Sequence, residues 1–209
     1  ITMERQPSTE DHETRRHILK AAEDLFIARG FKGVAMKDVA DAVRVTSAAL
    51  YYYFPGGKEE LFADTIRQML QEALERAFQL PDAPADFRQR LTRLTENLLL
   101  AVPVDRLVVL TRDAHDYLGH ARQDLWRGIA TRFGQRMREV FQEAIDAGEI
   151  SSRFPPEMLA QLHQGMCAAL LNRGHFLAEP LQPAAAHQLA QMVVSVLLDG
   201  IRSQQPAQP

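Results

Sequence analysis

Apolar residues along this chain recur three and four positions apart, the spacing of one helix face, and no convincing run alternates at a spacing of two. Ile18, Ala22, Leu25 and Phe26 share one face of a first helix that starts near Thr14 and stops at Gly30, a residue suited to a left-handed C-terminal cap. Val39, Ala40 and Val43 mark a short second helix from about Lys37. Thr46 is placed to cap a third, which carries Leu50 and Tyr53 on one side. Lys58 opens a long fourth helix whose stripe runs through Leu61, Phe62, Met69, Leu70, Ala73, Leu74, Ala77 and Phe78 and stops before Pro81. Pro81, Pro84, Pro103, Gly148 and the Phe154-Pro155-Pro156 step divide the remainder into five more helices, near 86–101, 104–118, 122–147, 156–177 and 184–202. The expected fold is all-α, with about nine helices: a head of three short helices over residues 12–57 and a larger helical body over 58–203, bridged by the fourth helix.

A chain of 209 residues buries a sizeable core, and its net charge of −3 argues against a generally basic nucleic-acid coat protein. That average hides an asymmetry. All four lysines precede residue 60, and residues 14–58 hold eight Lys or Arg against four Asp or Glu, which gives the head a basic surface. Cys167 is the only cysteine, so no intrachain disulfide forms, and its apolar helical surroundings read as a small buried hydrophobe. Apolar stretches such as Leu98 to Val104 fall far short of the roughly 20 residues of a membrane span. With a polar amino terminus that lacks a signal-peptide pattern, no membrane partner is expected and the location is read as cytoplasmic. No nucleophile elbow, glycine-rich phosphate loop, paired-Cys motif or His-Glu-x-x-His occurs, so no enzyme activity, catalytic residue or cofactor is expected. His163 and Cys167 lie four apart, with His115 and His120 elsewhere, but zinc sites show denser ligand clustering and no metal is assigned.

Residues 46–54, Thr-Ser-Ala-Ala-Leu-Tyr-Tyr-Tyr-Phe, hold three consecutive tyrosines, more than a small core uses, because each buried phenol needs a hydrogen-bond partner. At 100° per residue, Ser47, Ala48, Tyr51 and Tyr52 fall within an arc of about 140°, while Ala49, Leu50 and Tyr53 occupy the opposite arc. A face that is small at its amino end and aromatic and hydroxylated further along suits a DNA major groove. Ala48 permits close approach, the Tyr rings meet thymine methyls or sugars, and Ser47 with the free N–H groups of the helix start meets a phosphate. Lys58, at a helix start that disfavours a cation unless an anion is near, is a second phosphate anchor.

Leu25-Phe26 with Gly30-Phe31, Met36-Lys-Asp-Val-Ala40, Val45 through Phe54, and Lys58-Glu-Glu-Leu-Phe62 together resemble the amino-terminal domain of the tetracycline-repressor (TetR) family over about 50 continuous residues. The resemblance implies a helix-turn-helix formed by the second and third helices, with the third in the major groove, and a body that dimerises and senses a ligand. It assigns DNA contact to Thr46, Ser47, Ala49, Tyr51, Tyr52, Tyr53 and Lys58, with Lys37 as a phosphate partner; Tyr53 stays open between core and phosphate. Three departures stand out: Arg44 where many relatives have glycine in the turn, Ala35 in place of a capping hydroxyl, and Pro55-Gly-Gly, which adds a residue before Lys58. Arg44, placed at the turn, joins the DNA-contact candidates.

One recognition helix reads too few bases, so a homodimer on a double-stranded operator is expected. Its contact candidates are Leu162, Gly165, Met166, Ala169 and Leu170 on the eighth helix and Leu189, Met192, Val193, Val196 and Leu197 on the ninth. The effector candidates are the polar and aromatic exceptions of the body: His115, Tyr117, Trp126, His163, Met166, Asn172 and His175. The expected function is a transcriptional regulator, a repressor released by a small hydrophobic or amphipathic effector. The alternative is an all-helical small-molecule-binding protein or enzyme without operator binding, which has no need of the outward Ser47, Tyr51 and Tyr52 face.

Overall fold

The computed structural model describes residues 9–80, 86–101, 104–119, 121–172 and 181–199. Nine helices and no strand occur among them: α1 (Thr9–Arg29), α2 (Met36–Ala42), α3 (Ser47–Tyr53), α4 (Gly57–Phe78), α5 (Phe87–Ala101), α6 (Val104–Tyr117), α7 (Ala121–Asp146), α8 (Pro156–Asn172) and α9 (Pro183–Asp199). The all-α reading holds. α1 begins at Thr9 rather than near Thr14, because Glu10 and Asp11 occupy a first turn where the helix dipole favours negative charge. Those turns carry no apolar stripe, so periodicity did not reveal them. The expected tails at 173–177 and 200–202 lie outside the described residues.

The chain forms two compact units, one from the described residues up to Gln71 with Asp105–Arg127, the other from Glu72–Val104 and the described residues from Gly128 onward. In the first, Ile18, Leu19, Ala22 and Phe26 of α1 are buried together with Val39 and Ala40 of α2, Leu50 of α3, Leu61, Phe62 and Ile66 of α4, and Leu110 and Ala114 of α6. Phe26 and Phe31 each meet Phe62 edge-on, at centroid distances of 4.8 and 5.0 Å, an arrangement the ring quadrupoles favour. Its buried carboxylates are paired, as burial of a charge requires. Glu23 accepts from Arg106 at 2.7 Å and from Lys20 at 3.1 Å, and Asp64 pairs with Arg15 and Arg67.

In the second unit, Phe87, Leu91, Leu94 and Leu98 of α5 face Phe133, Met137 and Phe141 of α7, Leu159, Ala160 and Cys167 of α8, and Val193 and Val194 of α9. His163 is fully buried in this apolar setting, its Nε2 2.9 Å from the Thr95 hydroxyl, which itself donates to the Leu91 carbonyl. That hydroxyl proton is committed, so the ring donates through Nε2, and burial pushes the imidazole pKa down to about 4. Burial also pushes the neighbouring Cys167 thiol up to about 12, which keeps it protonated.

Candidate nucleic-acid interface

α2 ends in a Schellman turn: the Val45 N–H bonds the Ala40 carbonyl at 3.0 Å and the Arg44 N–H bonds that of Asp41 at 3.3 Å. The turn puts its central residue in the left-handed region, and Arg44 has φ 58°, the sole positive φ among described residues other than glycine. Arg44 is exposed. At the start of α2, the Asp38 carboxylate accepts the Ala35 N–H at 2.7 Å. That is half of a capping box; the other half needs a hydroxyl that Ala35 lacks.

Seven residues of α3 cannot hold a helix in isolation. Two local features define it here. The Thr46 hydroxyl accepts the Ala49 N–H at 3.1 Å, capping the first turn, and Leu50 is buried. With Leu50 inward, Ser47 and Ala48 are exposed, Tyr51 is 49% exposed and Tyr52 73% exposed. These are the four residues of the expected outward arc, and large aromatic groups so open to solvent are unusual unless a partner covers them. Ala49 is half-buried on the opposite side.

Tyr53 is half-buried and its phenol donates to Asp11 of α1 at 3.3 Å. Burial, with Asp11 beside it, raises its pKa and keeps that donor protonated. In this structure, Thr46 and Tyr53 serve the head's own packing, the former as a cap and the latter as a tie to α1.

The Pro55-Gly56-Gly57 turn accommodates its additional residue through Gly57, whose φ of 71° favours glycine. Glu60 accepts the Gly56 N–H at 2.6 Å, closing the start of α4. Lys37 is exposed. Lys58 is only half-exposed, its Nζ 4.3 Å from the centre of the Phe31 ring. Sequence reasoning used Phe31 only as part of the family resemblance and gave no site role to Asp113, which accepts the Phe31 N–H at 2.6 Å. No spacing along the chain links residues 31 and 113.

The effector candidates are not brought together. His115 is exposed, Tyr117 and Trp126 are half-buried, and all three belong to the first unit. Met166 packs on the core of the second, and His163, expected at a pocket, is sealed within that core, where its polar neighbours, the Thr95 hydroxyl and the Cys167 thiol, are themselves buried. Asn172 ends α8, while His175 lies outside the described residues. An open polar groove of about 790 Å³ between α5 and α9, lined by Arg88, Arg93, Glu96, Asn97, His187 and Gln191 among others, contains none of these candidates. Of the dimer candidates, Leu162, Gly165, Ala169, Met192 and Val196 are exposed, and Met166, Leu170, Leu189 and Leu197 are half-buried. Val193 is a correction: it is buried against α5, because α9 turns that side of its stripe to its own core.

Among the described residues no helix is long and apolar enough to cross a membrane, and no three His, Cys, Asp or Glu side chains gather as metal ligands.

Residues 18–65 match the family described as bacterial regulatory proteins, tetR family. Along most of its length the chain is similar to the HTH-type transcriptional repressor KstR2 of Mycolicibacterium smegmatis, at 24% identity over 91% of this chain and 92% of that protein. Its fold is similar to that of a Mesorhizobium loti chain described as a TetR-family transcriptional regulator, with a TM-score of 0.74, 19% identity and coverage of 92% and 98%. It is also similar to the fatty acid degradation regulator FadR of Bacillus halodurans, with a TM-score of 0.67, 14% identity and coverage of 95% and 99%. Residues 18–65 of the chain accordingly carry the DNA-binding domain of the TetR family of transcriptional regulators.

Proposed function

We propose that the protein is a repressor that binds a double-stranded operator as a homodimer and is released by a small hydrophobic or amphipathic effector. The carrying observation is the orientation of α3, with Leu50 buried while Ser47, Ala48, Tyr51 and Tyr52 stay open to solvent. On this reading residues 12–57 bind DNA and residues 58–203 bind effector and partner. Ser47, Tyr51 and Tyr52 touch the groove, Ala48 permits close approach, and Lys37, Arg44 and Lys58 meet phosphates. Thr46 and Tyr53 act through the shape they give the head.

The dimer reading is supported by α8 and α9. Met158, Leu162, Gly165 and Ala169 recur along one side of α8 and are exposed, as are Met192 and Val196 of α9, and the small residues permit close helix approach. A second copy of the same faces covers them in a symmetric contact. The effector class follows from the apolar character of small-molecule sites in helical bodies, and a structural relative that regulates fatty acid degradation agrees with it.

The repressor reading is tested on an operator selected with the purified protein. Titrating acyl-chain and steroid ligands against the complex is expected to release DNA with one of them, through a shift between two populations of the protein. An effector that binds the protein tightly and leaves operator affinity unchanged contradicts the coupling.

A further inference from the structure

Lys58 and Lys32 share an unusual seat. Phe31, which carries the Lys58 ammonium at 4.3 Å, stacks on Tyr117 of α6 with centroids 4.7 Å apart and planes 11° from parallel. The Lys32 ammonium lies 5.4 Å from the centre of the Tyr117 ring. Two cations therefore rest on one stacked pair, one on each ring. Asp113, one turn before Tyr117 on α6 and nearly buried, fixes the pair by accepting the Phe31 N–H.

Three other basic groups of the same unit, Lys20, Arg15 and Arg106, have carboxylate partners, which cancel their charge. Among the described residues no carboxylate lies within ion-pair distance of Lys32 or Lys58. A ring face orders an ammonium without neutralising it, so the charge stays available to an approaching anion and no ion pair has to break first.

We propose that Asp113 and Tyr117, though remote in sequence from α3, are positioning residues for DNA binding. They hold the Phe31 platform that orders Lys58 and Lys32 with their charges free for phosphate oxygens. The inference rests on the reading of Lys58 as a phosphate contact and extends it to α6 and to Lys32.

The test measures affinity for the operator by fluorescence anisotropy at several salt concentrations, with thermal melts to confirm folding. The paired substitution K32A/K58A is expected to weaken binding and reduce the salt slope by about 2, one for each phosphate contact. Y117F keeps the ring and is expected to bind as the parent does. Y117L and D113A are each expected to weaken binding, by about three- to tenfold for loss of an ordered cation seat. Neither should weaken it further in the K32A/K58A background.

An equal loss in both backgrounds assigns Tyr117 and Asp113 to packing alone and overturns the inference, leaving the lysine contacts intact. An unaltered affinity and slope for K32A/K58A removes the phosphate reading of Lys58, and the inference with it, while operator binding through α3 still stands. Should Y117L fail to fold, Y117M fills the same space with a flexible apolar chain and is read by the same comparison.

Discussion

Arg44 occupies a backbone conformation that disfavours a side chain, at φ 58°, and it does so in the turn between the two helices of the DNA-binding motif. A Cβ in that region costs roughly 1 kcal/mol, so Arg44→Gly is expected to raise the melting temperature by a few degrees while weakening operator binding. A variant that gains stability and loses no affinity shows that the guanidinium does not touch DNA. His163 gives a second residue-level prediction. Its folded pKa of about 4 lies below the roughly 6.5 of an unfolded imidazole, so between those values the unfolded chain binds a proton that the folded chain does not. The stability contributed by neutral His163 is complete above about pH 6.5 and is lost as pH falls through that window, by up to about 1.4 kcal/mol per pH unit. Denaturant titrations from pH 7 to 4.5 should show a flatter loss for His163→Leu than for the parent; equal slopes contradict a buried neutral ring. Tyr51 and Tyr52 were legible in the sequence because a helical wheel sorts neighbours seven residues apart or fewer. The burial of His163 was not, since its partner Thr95 stands on another helix.

At the scale of elements, α3 depends on its ends more than on its length. The Thr46 hydroxyl satisfies the Ala49 N–H, and seven residues supply too few internal bonds to do without it. Thr46→Ala is expected to lower stability by about 1 kcal/mol, whereas Thr46→Ser should retain most of it. Thermal unfolding of the two variants checks this, and equal melting temperatures for both would show that the cap is dispensable. Helices with an apolar stripe were legible throughout. The first turns of α1 were not, because Glu10 and Asp11 favour a helix start through charge instead of burial. The same contrast explains Lys58. Its place at the start of α4 follows from the sequence, while the ring beneath it depends on a turn and a distant helix.

At the scale of the whole molecule, the account needs two copies, since one α3 reads too few bases for useful affinity. Leu162 is 52% exposed and Met192 55% exposed on helices otherwise engaged in the core of the second unit. Leu162→Glu places a charge on that face in both copies and is expected to give a folded monomer by equilibrium sedimentation, with operator affinity reduced at least tenfold. A variant that remains dimeric locates the contact elsewhere. The proposed dimer face was only partly legible: the stripe on α9 serves both core and surface, and sequence alone did not tell Val193, which is buried, from Val196, which is not. The effector candidates failed to converge because polar exceptions in a helical body mark caps, cores and surfaces as readily as a pocket.

The most direct measurement is selection from a random duplex library by the purified protein and by a Tyr51→Ala/Tyr52→Ala variant whose melting temperature matches the parent's. The parent should enrich a two-fold symmetric sequence with half-sites about 10 base pairs apart, or a multiple of that, and the variant should enrich none. Recovery of the same sequence by the variant, at comparable affinity, would contradict the claim that the outward face of α3 reads DNA.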